Sequence, residues 1–156
     1  MAQGTPEGVS APGFREVLCR WASGVSVVSV RDAQGLAATT VSAFSSLSLE
    51  PPLVLVALSE NSRTLKRVQD SGRFTVSILS SAQRDISVRC AKGEAEDAAF
   101  DEDAFVRDCL AGLSCTLLDT PRYGDHFLLI GRVVGIRRGE EGEPLLYWNR
   151  AYRTIT

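Results

Sequence analysis

The sequence predicts a mainly β chain: a barrel of six or seven short strands with two or three small helices inserted. Three observations carry this. Runs rich in β-branched residues, such as VSVVSVR over Val25–Arg31 and FTVSIL over Phe74–Leu79, alternate with period two and recur at short spacing. A continuous apolar run, LVLVAL over Leu53–Leu58, follows a double proline. The helical patterns are short and do not alternate regularly with strands, which disfavours a doubly wound sheet, and no GxGxxG follows a strand.

Taken in order, the first thirteen residues lack the basic and apolar blocks of a signal peptide and read as a flexible tail, with one domain over 14–156. Phe14–Ser23 reads as a helix, with Phe14, Val17, Leu18 and Trp21 at spacings of three and four, and Gly24 ends it. Val25–Arg31 is a strand, Asp32–Gly35 a hairpin turn, and Leu36–Ala43 the returning strand. Pro51 and Pro52 lack ladder donors and mark the start of Leu53–Leu58, whose unbroken apolarity suits a strand covered on both faces. Ser62–Gln69 is a short helix capped by Ser62 or Asn61. After the strand Phe74–Leu79 comes a second short helix, Ala82–Cys90. The acidic stretch Glu94–Asp108 reads as a solvated loop anchored by Phe100 and Phe105. Leu113–Asp119 is a strand and Pro121–Gly124 a turn. His126–Arg138 is a long strand that Gly131 and Gly135 let bend. Glu140–Glu143 is a turn before a last strand, Pro144–Trp148.

Length and composition bound the function. At 156 residues the chain is long enough for one domain with a core that needs no staples. A net charge of −2, from 17 basic and 19 acidic residues, leaves no footprint for nucleic acid or an anionic membrane. No apolar run reaches the roughly 20 residues that span a bilayer. The four cysteines form no CxxC pair and there is one histidine, so no metal site is expected. Free cysteines behaving as small hydrophobes place the chain in a reducing cytoplasm.

The chemistry concentrates in three places. Thr39, Thr40, Ser42, Ser45, Ser46 and Ser48 put six hydroxyls into ten residues. They form either an exposed strand running into a loop, or a polar groove for a flat heteroaromatic ring and its phosphate tail, floored by Val41 and Ala43. Asn61-Ser62-Arg63-Thr64 sets hydroxyls and an arginine at a helix start, which is either an ordinary cap or an anion site. His126 follows Asp125 at the start of a strand, where the carboxylate is placed to orient its ring. GxSxG is absent, and the clustered carboxylates from Glu94 to Asp103 have nothing to orient them.

From Phe14 to Tyr152 the chain resembles the flavin reductase-like family, whose members have an FMN-binding split β-barrel. The resemblance rests on FREVLCRWASGVSVVSV, TTVSAFSSLSLEPPLVLVAL, SGRFTVSIL with SAQRDIS, GDHFLLIGRV and PLLYWNRAY, in that order. It implies a homodimer that binds FMN or FAD, transfers hydride to it from NADH or NADPH, and supplies reduced flavin to a partner monooxygenase. It implies that Thr40, Val41, Ser42 and Ala43 line the flavin ring, with Ser45 and Ser46 in the loop that follows. Ser59, Ser62, Arg63 and Thr64 correspond to the region holding the ribityl phosphate. His126, with Asp125 beside it, corresponds to a histidine near the nicotinamide and the ring, and Tyr152 to a C-terminal aromatic near the site. The chain departs from the family pattern at Ala38 and Thr39, at Ser77, at Cys90 and over Glu96–Phe100. Two other functions stay open: a flavin-binding protein without reductase turnover, and a flavoenzyme acting directly on an organic substrate in a biosynthetic pathway.

Overall fold

The computed structural model describes residues 8–155. A short helix α1 (Ala11–Leu18) and strand β1 (Ser23–Gly24) precede the main sheet. Strands β2 (Ser26–Asp32), β3 (Gly35–Val41), β4 (Phe44–Leu49) and β5 (Pro52–Ser59) lead to helix α2 (Arg63–Ser71). Strand β6 (Arg73–Ile78) is followed by helix α3 (Arg84–Ala91), an irregular segment, and β7 (Ala111–Asp119). The chain ends with β8 (Arg122–Tyr123), β9 (His126–Arg138), β10 (Leu146–Trp148) and β11 (Ala151–Arg153).

The main sheet runs β3-β2-β6-β7-β9-β5-β4, with β8 paired to β9, and every pairing is antiparallel. It curls without closing, so the barrel is split, with β3 and β4 as its edges. A small sheet, β1-β10-β11, packs beside it. The curl comes from β9, which pairs with β5 and β7 along its length and shifts register against β7 at Ser114/Cys115 and at Leu117/Asp119.

Strand β2 is covered on both faces, and so is its neighbour β6. Val28 and Val30 point into a core with Val54, Val56, Phe74 and Leu129, under Leu65 and Val68 of α2. Val25 and Val27 point the other way, into a second core with Leu79, Phe100, Val106 and Leu145, under α3. Alternate side chains of a strand face opposite sides, so a strand covered on both faces contributes to two cores.

The LVLVAL strand behaves otherwise. Val54, Val56 and Leu58 are buried, while Leu53, Leu55 and Ala57 are half-exposed. Helix α1 also departs from expectation. It begins at Ala11, inside the stretch expected to be a flexible tail, because Ser10 Oγ caps Gly13 N–H and Pro12 sits in the first turn. It ends at Leu18, short of Ser23 and Gly24, where Arg20 and Trp21 N–H bond three residues back and turn the chain. The first seven residues of the expected tail lie outside the described residues.

The acidic segment 94–108 keeps most of its carboxylates exposed, as a solvated loop would, but it is also tied down. Asp101 Oδ1 accepts from the N–H groups of Asp103 and Phe105, both at 3.0 Å, and its other oxygen pairs with Arg137. Arg31 bonds Asp97 at 2.6 Å, and Arg89 bonds Glu96 at 2.7 Å. Phe100 and Phe105 are buried anchors, as the sequence predicts.

Gly131 is required by contact. A Cβ built there would lie 2.5 Å from the ring of Phe74, which is buried in the first core and cannot swing away. Gly131→Ala should therefore destabilise the protein by about 1–3 kcal/mol in urea denaturation. Gly135→Ala, whose Cβ would meet Ser114 at an ordinary 3.4 Å, should cost less.

Candidate functional site

Helix α2 begins at Ser62, whose Oγ accepts from Leu65 N–H at 3.3 Å and whose extended backbone starts the helix. The strand before it ends at Ser59, whose Oγ accepts from Asn61 N–H at 3.3 Å. The N-terminal turn of α2, edge strand β3 and the C-terminal end of α3 enclose a cleft of about 530 Å³. Ser59, Ser62, Arg63 and Thr64 all line it, joined by Thr39 and Lys92. Arg63 reaches across to α3 and donates to the Gly93 carbonyl at 3.2 Å. The backbone N–H of Lys92 closes α3, while its side chain makes no hydrogen bond or ion pair among the described residues. The free amides of a helix start, hydroxyls and two cations without carboxylate partners suit a phosphate ester.

Arg67, a turn further along α2, also lines the cleft, but its charge is spent. Its Nε donates to Asp32 Oδ2 at 2.6 Å, its NH2 bonds Asp32 Oδ1, and it also reaches the Gly35 carbonyl at 2.5 Å. The Arg67 guanidinium in turn holds the Asp32 carboxyl below the usual carboxylate range.

His126 stands directly opposite Ser59 in the β5–β9 ladder. It is exposed, and its Nδ1 lies 2.8 Å from Asp125 Oδ1. That bond, the largest cause, lowers the Asp125 carboxyl from its ordinary value. The carboxylate sets the ring's tautomer and leaves Nε2 free. Gly124, with φ of 62°, and Asp125 form the two-residue turn between β8 and β9. The turn is clamped from behind: Arg122 bonds Glu60 Oε2 at 2.5 Å and the Gly124 carbonyl at 3.0 Å, and Glu60 N–H donates to the Asp125 carbonyl at 2.9 Å.

The hydroxyl run is divided. Strand β3 ends at Val41, which is buried in the first core, and Ser42 and Ala43 form a bend. Ser45 and Ser46 belong to strand β4, opposite Leu55 and Val54, and not to a loop. Ser42, Ala43 and Ser45 line a separate groove of about 440 Å³ with Trp21, Leu55 and Trp148. Thr40 donates its hydroxyl to the Ser87 carbonyl at 2.6 Å. Tyr152 reaches neither depression: its OH lies 2.7 Å from Ser87 Oγ, and its ring sits under Arg84.

Sequence reasoning missed Lys92, the Glu60–Arg122 clamp and the partner role of Ser87. A lysine followed by glycine after a short helix was the one local signal available for Lys92. Among the described residues no group of His, Cys, Asp and Glu could hold a metal, and no helix is long and apolar enough to cross a membrane.

The chain belongs to the flavin reductase-like domain family, whose model matches residues 18–156. It is 42% identical over 142 residues to the 4-hydroxyphenylacetate 3-monooxygenase reductase component of Thermus thermophilus, covering 91% of this chain and 95% of that one. It is 36% identical over 151 residues to the NADH:riboflavin 5′-phosphate oxidoreductase of Streptomyces pristinaespiralis, covering 91% and 86%. Among solved structures it resembles the flavin reductase PheA2 with a TM-score of 0.89 and 32% identity, over 95% of this chain and 99% of that one.

The Asp32–Arg67 link, which ties α2 to the β2–β3 turn, makes a pH prediction. Because the folded-state carboxyl is lowered, its stabilisation is present above the unfolded value of about 3.9 and is lost as pH falls through the lowered value. Urea midpoints of wild type and Asp32→Asn should differ at neutral pH and converge on acidification below that range.

Proposed function

We propose that this protein is an NADH-dependent flavin reductase that passes reduced flavin to a separate monooxygenase. The observation that carries this is the register of β5 on β9, which sets the phosphate-suited cleft at Ser59 beside His126. The names of the similar proteins, a monooxygenase reductase component and an NADH:riboflavin 5′-phosphate oxidoreductase, support both the donor and the partner class.

The cleft residues fit a phosphorylated flavin. Ser59, Ser62 and Thr64 offer hydroxyls, the α2 start offers amides, and Arg63 and Lys92 offer charge for its phosphate. Thr40, Val41, Ser42 and Ala43 border the ring with backbone groups and the floor of the bend, while Ser45 and Ser46 extend that border along β4. Thr40 acts through its backbone, since its hydroxyl is engaged by Ser87. Tyr152 acts indirectly, by holding Ser87. A bound flavin supplies the acceptor for the hydride of a dihydronicotinamide. His126, oriented by Asp125, positions the nicotinamide through its free Nε2; Asp125 and the Glu60–Arg122 clamp fix the ring's direction.

A second copy of the chain is the partner that completes this reading. Phe14, Val17 and Trp21 of the α1 region are 59%, 68% and 77% exposed, and Trp21 lines the groove holding Ser42, Ala43 and Ser45. An apolar surface of this kind beside a site suits burial in a homodimer. Light scattering on the purified protein should return twice the chain mass of 16.9 kDa. Four cysteines without disulfides suit the reducing cytoplasm.

Anaerobic stopped-flow mixing tests the function. Wild type with flavin should bleach the oxidised-flavin absorption when NADH is added. His126→Ala should slow bleaching by about 10–100-fold with a much smaller change in flavin affinity, as expected for a lost positioning contact. An unchanged single-turnover rate would remove His126 from this role, and no bleaching by wild type would overturn the function.

A further inference from the structure

We propose that Arg150, at the tip of the β10–β11 hairpin, is a charge-reading residue of the ring groove, which makes the protein bind reduced, anionic flavin more tightly than oxidised flavin. The inference rests on the reading that places the flavin ring at Ser42, Ala43 and Ser45.

The groove that holds those three residues is walled in part by Trp21, Leu55 and Trp148. Among the described residues Arg150 is the one charged side chain lining it, and no carboxylate shares it. Arg150 is exposed, and its guanidinium has no hydrogen bond, ion pair or aromatic ring as partner among the described residues. Arg153 on β11 differs, since it lies over the Trp148 ring at 5.6 Å.

The backbone at Arg150 is unusual for its residue type. Trp148 pairs with Ala151, so Asn149 and Arg150 alone make the hairpin loop. Their φ angles are 51° and 63°, left-handed at both positions. A two-residue loop of this kind favours Asn followed by Gly, because glycine takes the left-handed conformation without a Cβ penalty. Asparagine stands where the turn prefers it, and arginine stands where the turn prefers glycine. Turn chemistry therefore does not account for Arg150, and a strained residue on a groove points to a role for its side chain. The loop is also anchored. Asn149 N–H donates to the Cys19 carbonyl at 2.9 Å, and Trp148 Nε1 donates to the Arg20 carbonyl at 3.0 Å. These two bonds hold the tip that carries the guanidinium beside the groove.

The reaction supplies the anion. A hydride carries two electrons and one proton, so the ring that accepts it gains one negative charge unless it takes up a second proton from solvent. A guanidinium stays charged throughout the working pH range. Beside apolar walls it is screened less than on an open surface, and it favours the ring after transfer over the ring before it.

Anaerobic titration tests this. Dissociation constants of oxidised and of chemically reduced FMN are measured for wild type, Arg150→Gln, Arg150→Lys and Arg150→Gly, with urea midpoints alongside. Wild type should bind reduced FMN about tenfold tighter than oxidised FMN. Arg150→Gln should bring that ratio close to one, by weakening the reduced form while leaving the oxidised form within about twofold of wild type. Arg150→Lys, which keeps the charge, should retain most of the preference. Arg150→Gly should lose the preference and raise the urea midpoint, because glycine relieves the turn. A ratio near one in wild type, a ratio unmoved in Arg150→Gln, or equal weakening of both forms in that variant would overturn the role of Arg150. Bleaching of flavin by NADH in wild type would then leave the reductase reading in place. Failure of wild type to bind either form of FMN, with no bleaching, would instead overturn the reductase reading, and the role of Arg150 with it.

Discussion

Strand β9 is the seam on which the molecule depends. Its thirteen residues pair with β5 on one side and β7 on the other, and with β8 at its start. Because β5 comes from a distant part of the sequence, the register along β9 decides what meets what. Ser59 faces His126 at one end of the ladder, and Leu53 faces Arg132 nearer the middle. A slip of one residue would move every side chain to the opposite face and take the histidine away from the cleft. Close approach helps hold that register. Gly131 admits the Phe74 ring, and Gly112 on β7 admits the ring of Phe105.

Around this seam polar groups are satisfied in pairs rather than left to solvent. Ser29 and Thr75, buried on neighbouring strands, bond each other at 2.6 Å and both reach the Ala104 carbonyl. Ser77 Oγ accepts from Val106 N–H at 3.0 Å. The hydroxyls of β2 and β6 thus hold the irregular segment over the second core, where an unpaired hydroxyl would be costly. Arginines do the corresponding work at the rim, with Arg31, Arg89 and Arg137 neutralising the acidic residues of the same segment. Buried Cys90 and Cys115 contribute as apolar groups: burial pushes their thiols up to about 11 and about 12, so they stay protonated near neutrality.

The candidate site follows from the same economy of hydroxyls. One is absorbed by the fold: the Thr40 hydroxyl donates to the Ser87 carbonyl. What remains for a ligand is the helix start with Arg63 and Lys92, the bend at Ser42 and Ala43, and an aimed histidine. The exposed apolar surface of α1 beside the bend is the side from which this reading brings a second copy.

Local patterns were legible in the sequence wherever a residue's environment is set by its neighbours in the chain. The bounds of β9, the turn over Asp32–Gly35 and the cap at Ser62 all stand where alternation, turn chemistry and capping place them. The start of α1 was misplaced because a weak cap at Ser10 and a proline outweighed the apolar spacing that began at Phe14. The resemblance to a family named the cleft residues and the histidine in advance. It did not reveal that Val41 belongs to the core, that Tyr152 bonds Ser87, or that Lys92 and the β3 edge extend the cleft. Nor did unbroken apolarity show which strands would be covered twice; that fell to β2 and β6, and not to β5. By itself the sequence determined most of the strands and helices, because those depend on spacing along the chain, but not β4 or β11. Only the tertiary structure decided which strands pair and in what register. Those contacts are between distant residues, and on them rests the meeting of Ser59 with His126.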